Sequence, residues 1–340
     1  MSVFIIAEVG VNHNGNVNIA KKMIDEAKNS GANCVKFQTF KAEEFISDPN
    51  QTYTYKSQDK EVTESMLKMF KRYEFTDDEW VEIINYCKSK NIIFSSTAQN
   101  KSDLEFLLSI TDLPFLKIGS DDLTNLDSIK YYASKKIPII ISAGMAYAYE
   151  IEDAVRAIRE VGNEDITVLH CTSSYPTDKQ DVNLKKIPII KDAFNVKVGF
   201  SDHTIGSTSA VGAVCFGAIV IEKHFTLDNK MEGPDHWFSI NPKELKQYID
   251  DIRFIEQAIG KPELKPTLQE IEMRKMARRK IVAKTNIFIG EKITKDNIDY
   301  KRIDNCDDSG LDPKNFLFIE NRIVTRDIKK DETITLRVLK

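Results

Sequence analysis

The sequence predicts an α/β chain: a closed (β/α)8 barrel carrying a small, loop-rich β domain at its C-terminus. Three features of the 340 residues lead there. Eight apolar, β-branched runs alternate with amphipathic helical stretches, which is the pattern of a parallel sheet. All eight fall within residues 1–260, a span that suits a closed barrel better than an open doubly wound sheet. The stretch GKPELKPTLQE at 260–270, with its two prolines, then separates them from a segment of different texture.

In chain order the predicted strands are VFIIAEVG (3–10), CVKFQTF (34–40), IIFSST (92–97), FLKIGS (115–120), PIIISAG (138–144), ITVLHCT (166–172), VKVGFSDH (196–203) and AIVIEKHF (218–225). Helical periodicity fills the gaps, as in IAKKMIDEAKNSG, DDEWVEIINYCKSK and IEDAVRAIREVG, several of which end in Gly or a basic residue as helix C-termini do. No GxGxxG follows the first strand, which weakens a dinucleotide-binding reading. The second strand-to-helix connection, 40–76, is long for a barrel loop; it carries TYTYKSQDK and then a helical ESMLKMFKR (64–72), and is expected to act either as a lid or sugar-contacting loop or as padding at the rim or a dimer contact. A linker is expected over 261–278 and the small domain over 279–340. Within that domain IVAKTNIFIGEKIT (281–294) resembles IVTRDIKKDETIT (323–335), which suggests internal pseudo-symmetry.

Bulk properties exclude some functions. Lys and Arg total 48 against 52 for Asp and Glu, a net charge of −4, which argues against a nucleic-acid partner. The N-terminal MSVFIIAEVG meets Glu8 at once and lacks a basic leader, and no apolar run is long enough to span a bilayer. The five cysteines (Cys34, Cys87, Cys171, Cys215, Cys306) form no CxxC pair and are expected to be reduced thiols of a cytoplasmic protein.

The chemistry sits at the strand ends. Most predicted strands finish on polar residues: Glu8, Lys36 with Gln38, Ser96 with Thr97, Lys117 with Ser120, Ser142, Thr172, Ser201 with His203, and Glu222 with His224. The carboxyl ends of barrel strands are where active sites are built. Two lysines inside apolar strands must meet an anion, or their desolvation costs several kcal/mol. The chain has only five histidines, and His203 and His224 occupy matched positions at the ends of the last two runs. Two imidazoles meeting there suggest one divalent metal ion with open coordination positions.

IIAEVGVNHNG (5–15), VKFQTF (35–40), KIGS (117–120), HCTSSYPT (170–177), GFSDHT (199–204), IEKHFTLD (221–228) and GPDH (233–236) together resemble the sialic acid synthase family over nearly the whole chain, and the final segment is similar to its antifreeze-like SAF domain, a β-clip fold. The resemblance implies condensation of phosphoenolpyruvate with the aldehyde form of a 2-acetamido sugar of the N-acetylmannosamine type. The product would be a nine-carbon 2-keto-3-deoxy sugar acid, a sialic acid or a bacterial analogue such as legionaminate, with release of phosphate. It further implies a divalent metal, Mn²⁺ or Mg²⁺, held by His203 and His224. Lys36, Lys117, Ser120 and Ser201 would take the phosphate and carboxylate of phosphoenolpyruvate. Glu8 and Glu222 would move protons or orient water, with the division of labour left open. Gln38, Asp122, Ser173, Tyr175 and Asp235 would line the sugar side, with Asn12, His13 and Asn14 nearby and His170 and His236 as less central neighbours. Arg302 would reach across a domain-crossed homodimer to the sugar's acyl group.

The chain also departs from the family pattern. It reads Lys301-Arg302-Ile303-Asp304 where a Lys-Arg-Pro-Gly-like turn is usual, so the backbone after Arg302 lacks the φ that a proline would preset. Asp121-Asp122 replaces Gly-Glu, Ser173 stands where some members carry Asn, and SSTAQN (95–100) replaces Ser-Thr-Pro-Phe. These changes cluster around the sugar, so the expectation is retained chemistry on a different acceptor. Pseudaminate and spore-coat polysaccharide synthases of the same family are alternatives. A metal-dependent barrel aldolase without phosphoenolpyruvate is disfavoured by the strand lysines. A non-catalytic carbohydrate-binding scaffold is disfavoured by the intact Glu8, Lys36, Lys117, His203, Glu222 and His224.

Overall fold

The computed structural model describes residues 2–303 and 310–340. The chain divides into two compact units, Met1–Gly260 and Lys261–Lys340. In the first unit the strands are β1 (Phe4–Gly10), β2 (Cys34–Thr39), β3 (Thr52–Ser57), β4 (Lys60–Ser65), β5 (Ile93–Ala98), β6 (Leu116–Ile118), β7 (Ile139–Ser142), β8 (Ile166–His170), β9 (Lys197–Asp202) and β10 (Val220–His224). Eight of them close a barrel in the order β1-β10-β9-β8-β7-β6-β5-β2, every neighbouring pair parallel. All eight predicted strands are present, each within a few residues of its expected limits.

Sequence chemistry sets the helical shell. The helix Val17–Ser30 starts where the Asn16 side chain accepts from the Asn18 and Ile19 amides, and it stops at Gly31, whose φ of 95° a side chain would resist. The helix Asp77–Ser89 begins with a reciprocal box between Thr76 and Glu79, and Pro242–Ala258 with one between Asn241 and Glu244. Such caps contribute about 1 kcal/mol each. Each helix buries one stripe, for example Ala20, Met23, Ile24 and Ala27, against the outward strand faces.

The barrel interior is layered. Ile6, Cys34, Phe115, Ile140, Leu169 and Val220 form a separate apolar plug. Two residues further along three of these strands come Glu8, Lys36 and Glu222, so strand alternation places a charged layer directly above an oily one.

The long connection contains an antiparallel hairpin, β3–β4, that the sequence did not announce. Its two-residue turn is Gln58-Asp59, both at positive φ (50° and 59°), the geometry that Asn-Gly usually signals. The helix Met66–Tyr73 follows, where helical character was expected.

In the second unit the expected linker contains a helix, Leu268–Ala277, capped by Thr267 and Glu270 and burying none of its residues. The strands β11 (Arg279–Ala283) and β12 (Ile298–Arg302) pair antiparallel. The two repeats meet at equivalent positions, Ile287 and Ile328 exchanging backbone hydrogen bonds of 2.9 and 2.8 Å. Ile281, Ile287, Ile293, Ile319, Ile328 and Ile334 form much of a small core. Cys34, Cys87 and Cys171 are buried free thiols and Cys215 is an exposed one; Cys306 and Asp304 lie outside the described residues. Among the described residues no helix is long and apolar enough to cross a membrane.

Candidate active site

The charged layer holds two ammonium groups and two carboxylates from four strands. Lys36 Nζ lies 2.6 Å from Glu8 Oε2 and 3.6 Å from Glu222 Oε2, and Lys117 Nζ lies 3.6 Å from Glu222 Oε1. All four are at most 5% exposed. Lys36 also donates to Thr97 Oγ1 at 3.1 Å, and the Ser201 hydroxyl donates to Glu222 Oε1 at 2.9 Å. Gln38 Nε2 reaches Glu8 Oε1 at 3.5 Å.

Position within this layer separates the two acids. Burial pushes the Glu8 carboxyl up to about 7, against the pull of Lys36 and with the help of the Glu222 charge. Burial acts on Glu222 in the same direction, but Lys117, Lys36 and the Ser201 hydroxyl together hold it down to about 2. The Lys36 ammonium is stabilised above its usual value because the two acids outweigh its own burial.

Beside this layer stand the imidazoles. The His203 and His224 ring centroids are 5.7 Å apart, and the Tyr175 ring packs on His203 at 4.1 Å, tilted by 34°. His203 Nδ1 donates to the Thr172 carbonyl at 2.7 Å, which fixes the tautomer and leaves the Nε2 lone pair free. The nearest hydroxyl to that lone pair, Ser201 Oγ at 3.3 Å, directs its proton to Glu222. His224 Nδ1 is buried without a hydrogen-bond partner, and Asp235 Oδ2 lies 3.9 Å from it. Burial disfavours charge on both rings, and the His203 ring further disfavours it on His224. Among the described residues no group of three or more His, Cys, Asp or Glu side chains is placed to hold a metal ion. Two neutral imidazoles, one with its outer nitrogen already engaged by a carbonyl and the other with an orphaned nitrogen, nevertheless fit a divalent cation whose remaining ligands are substrate and water.

The rim is built from loops. Ser120 Oγ accepts from the Gly144 amide at 2.9 Å and contacts Cys171 Sγ at 3.3 Å. A Cβ on Gly144 would come within 2.4 Å of Ser173 Oγ, 2.8 Å of Ser120 Oγ and 3.0 Å of Cys171 Sγ, so this backbone must stay bare. Tyr175 is 41% exposed, and Phe238 packs on both Tyr175 (5.0 Å) and His224 (5.2 Å). Burial pushes the Asp235 carboxyl up to about 6. The β3–β4 hairpin is fastened to the loop that bears Asp235: Gly233 N donates to Ser57 Oγ at 3.1 Å, Gln58 Nε2 to the Lys230 carbonyl at 3.1 Å, and Lys56 Nζ lies over the Trp237 ring at 5.0 Å. The Tyr53 phenol ionises less readily because of burial and the Asp235 charge.

Glu8, Lys36, Gln38, Lys117, Ser201, His203, Glu222, His224, Tyr175 and Asp235 are thus brought to one end of the barrel, with Ser120 and Ser173 clustered around Gly144. Asp122 instead accepts from Asn125 Nδ2 at 3.3 Å at the start of the next helix. Arg302 is an exposed residue of β12 in the second unit. Asn12 and Asn14 brace loops, donating to the Phe225 and Glu232 carbonyls. His13 is buried against Phe75 (4.2 Å), His170 Nε2 donates to the Val182 carbonyl at 2.6 Å, and His236 joins Thr226 (2.6 Å) to Asn14 (3.1 Å). The sequence carries no local signal for Phe238, Tyr53 or the Thr172 carbonyl. Thr97 reads only as a polar strand end, although a hydroxyl one strand from Lys36 was the available signal.

The NeuB family is matched over residues 23–263. The chain is 41% identical to the N,N'-diacetyllegionaminic acid synthase of Campylobacter jejuni, covering 97% of this chain and 98% of that one. It is 38% identical to the enzyme of that name from Legionella pneumophila, over 88% and 85%. Among solved structures, the N-acetylneuraminic acid synthetase of Leptospira borgpetersenii superposes with a TM-score of 0.72 at 34% identity, covering 82% of this chain and 93% of that one.

Proposed function

The chain belongs to the NeuB family, and on that premise we propose that it condenses phosphoenolpyruvate with the open-chain aldehyde of a 2-acetamido sugar. Carbon 3 of phosphoenolpyruvate forms the new C–C bond to the aldehyde carbon, and the aldehyde oxygen takes up a proton. Water adds at carbon 2, and the C–O bond to phosphate then breaks, leaving a 2-keto-3-deoxy sugar acid and inorganic phosphate. The observation that carries this reading is the buried Lys36–Glu8–Glu222–Lys117 layer. A site with two buried ammonium groups and a carboxyl that keeps its proton up to about 7 has positive charge to offer a phosphorylated acid.

In this proposal Lys36, Lys117, Ser120 and Ser201 hold the phosphate and carboxylate, and the bare backbone at Gly144 leaves room beside the Ser120 and Ser173 hydroxyls. Glu8 and Glu222 carry protons for the aldehyde oxygen and the attacking water. His203 and His224 would hold Mn²⁺ or Mg²⁺, which when bound supplies Lewis-acid polarisation of the aldehyde. Tyr175, Asp235, Gln38 and Ser173 face the sugar, and Asp122 joins them only if it gives up its hydrogen bond from Asn125. The two legionaminic acid synthases among the relatives favour a 2,4-diacetamido-2,4,6-trideoxymannose acceptor over N-acetylmannosamine. The working unit is a homodimer in which Arg302 of the C-terminal SAF-type domain serves the partner's barrel. Exposed Leu317, Phe318 and Ile289 on that domain support an apolar contact.

The test is phosphate release from phosphoenolpyruvate with Mn²⁺ against N-acetylmannosamine, 2,4-diacetamido-2,4,6-trideoxymannose and 2,4-diacetamido-2,4,6-trideoxyaltrose, with EDTA as control. Metal-dependent release with the mannose-configured diacetamido sugar is expected. Release without any sugar, or none with all three, overturns the proposal.

A further inference from the structure

Strand alternation turns Ser201, His203, Glu222 and His224 into the barrel, and it turns the residues between them, Asp202 and Lys223, out toward the helices. These two are only 1% and 3% exposed. They face each other in the final register pair of β9 and β10, so His203 and His224 lie one step beyond that ladder. Lys223 Nζ is 3.2 Å from Asp202 Oδ2, and the same oxygen accepts from the Tyr248 hydroxyl of the helix Pro242–Ala258 at 2.9 Å. Asp202 Oδ1 accepts from Thr204 N at 2.9 Å and from Thr204 Oγ1 at 2.7 Å. The Lys223 ammonium completes the set with a short hydrogen bond to the Thr204 carbonyl. Thr204, directly after His203, is therefore gripped at both its amide and its carbonyl by residues adjacent to the two imidazoles.

A buried ion pair is a poor stability device, because well-packed apolar residues of similar volume do as well or better. Here the pair joins the ends of β9 and β10 where the backbone pairing between those two strands has run out, although His224 still pairs with Glu8 of β1 on the other side. We infer that Asp202 and Lys223, locked by Tyr248, are positioning residues that set the spacing and orientation of the His203 and His224 imidazoles for a divalent cation. This rests on the metal role proposed above for those histidines.

Mn²⁺ alone is the probe, with binding to the full-length protein followed by electron paramagnetic resonance well below the melting temperature. The neutral double variant Asp202→Asn/Lys223→Gln is expected to bind Mn²⁺ about 10- to 100-fold more weakly, the usual effect of losing support behind metal ligands. Lys223→Arg is expected to restore much of the affinity. Tyr248→Phe, which removes one hydroxyl, is expected at the low end, about tenfold. It keeps the inference testable if the double variant does not fold. Folded variants that bind Mn²⁺ as tightly as the parent overturn the inference, provided His203→Ala abolishes binding. If His203→Ala and His224→Ala bind as well as the parent, the metal role falls and the inference falls with it.

Discussion

The floor and the rim of this site are made differently. The floor is carried on strands: Glu8, Lys36, Lys117, Ser201 and Glu222 are buried, each within 3.6 Å of another member, and fixed by barrel register. The rim is carried on loops: Ser173, Tyr175, Asp235 and the hairpin that leans on residues 230–237 are partly exposed and joined through side chains. A barrel can exchange its loops without disturbing its register, whereas a change in the floor leaves a buried charge uncompensated. Of the departures from the family pattern, Asp122 and Ser173 lie in loops, whereas 95–98 belong to the strand β5, where Thr97 meets Lys36. On the proposed function, the common chemistry belongs to the floor and the choice of sugar to the loops.

The largest expected effect comes from breaking the floor. Lys36→Met leaves Glu222, and above about pH 7 also Glu8, short of their shared cation; above that pH it should cost about 3–5 kcal/mol of stability, along with all measurable phosphate release. Lys36→Met/Glu8→Gln should recover most of the stability in a urea melt and none of the activity. A single variant as stable as the parent would show that the floor is not electrostatically interlocked. Next in size is removal of the second unit. A chain ending at residue 270 should keep a folded barrel by circular dichroism and lose synthesis. Full activity in that fragment would remove Arg302 and the crossed dimer from the mechanism.

How much of this was readable follows the same line. Parallel barrel strands are covered on both faces and so read as continuous apolar runs, which made all eight visible. A lysine or glutamate inside such a run is expensive, so Lys36, Lys117, Glu8 and Glu222 stood out. The hairpin was hidden because Gln58-Asp59 takes up positive φ without the Asn or Gly that advertises it. Phe238 was hidden because its role depends on how the 226–239 loop folds back over His224, which no local pattern encodes. Asp202 and Lys223 read as part of the same motifs as the histidines; only the inward or outward sense of each position separates support from chemistry.

The rim gives smaller effects that sharpen the contrast. Tyr53→Ala should raise the KM for the sugar about fivefold, worth about 1 kcal/mol for one aromatic contact, and leave the KM for phosphoenolpyruvate unchanged. Equal changes in both constants would mean that the hairpin shapes the floor and is not a sugar-side element.

The smallest expected effect lies in the hairpin turn, where stability and selectivity can be separated. Gln58 and Asp59 hold φ values of 50° and 59°, which an Asn-Gly turn adopts with less strain. Gln58→Asn/Asp59→Gly should therefore stabilise the hairpin by a few tenths of a kcal/mol up to about 1 kcal/mol. The substitution also removes the Gln58 hydrogen bond to the Lys230 carbonyl, one of the fastenings between hairpin and loop. If turn strain dominates, thermal stability rises and the KM for the sugar holds or falls. If the fastening dominates, the KM for the sugar rises although the turn is better formed, and the docking of the hairpin, rather than its intrinsic order, is what the sugar side requires. In either case the KM for phosphoenolpyruvate should not move, because no strand of the floor is touched.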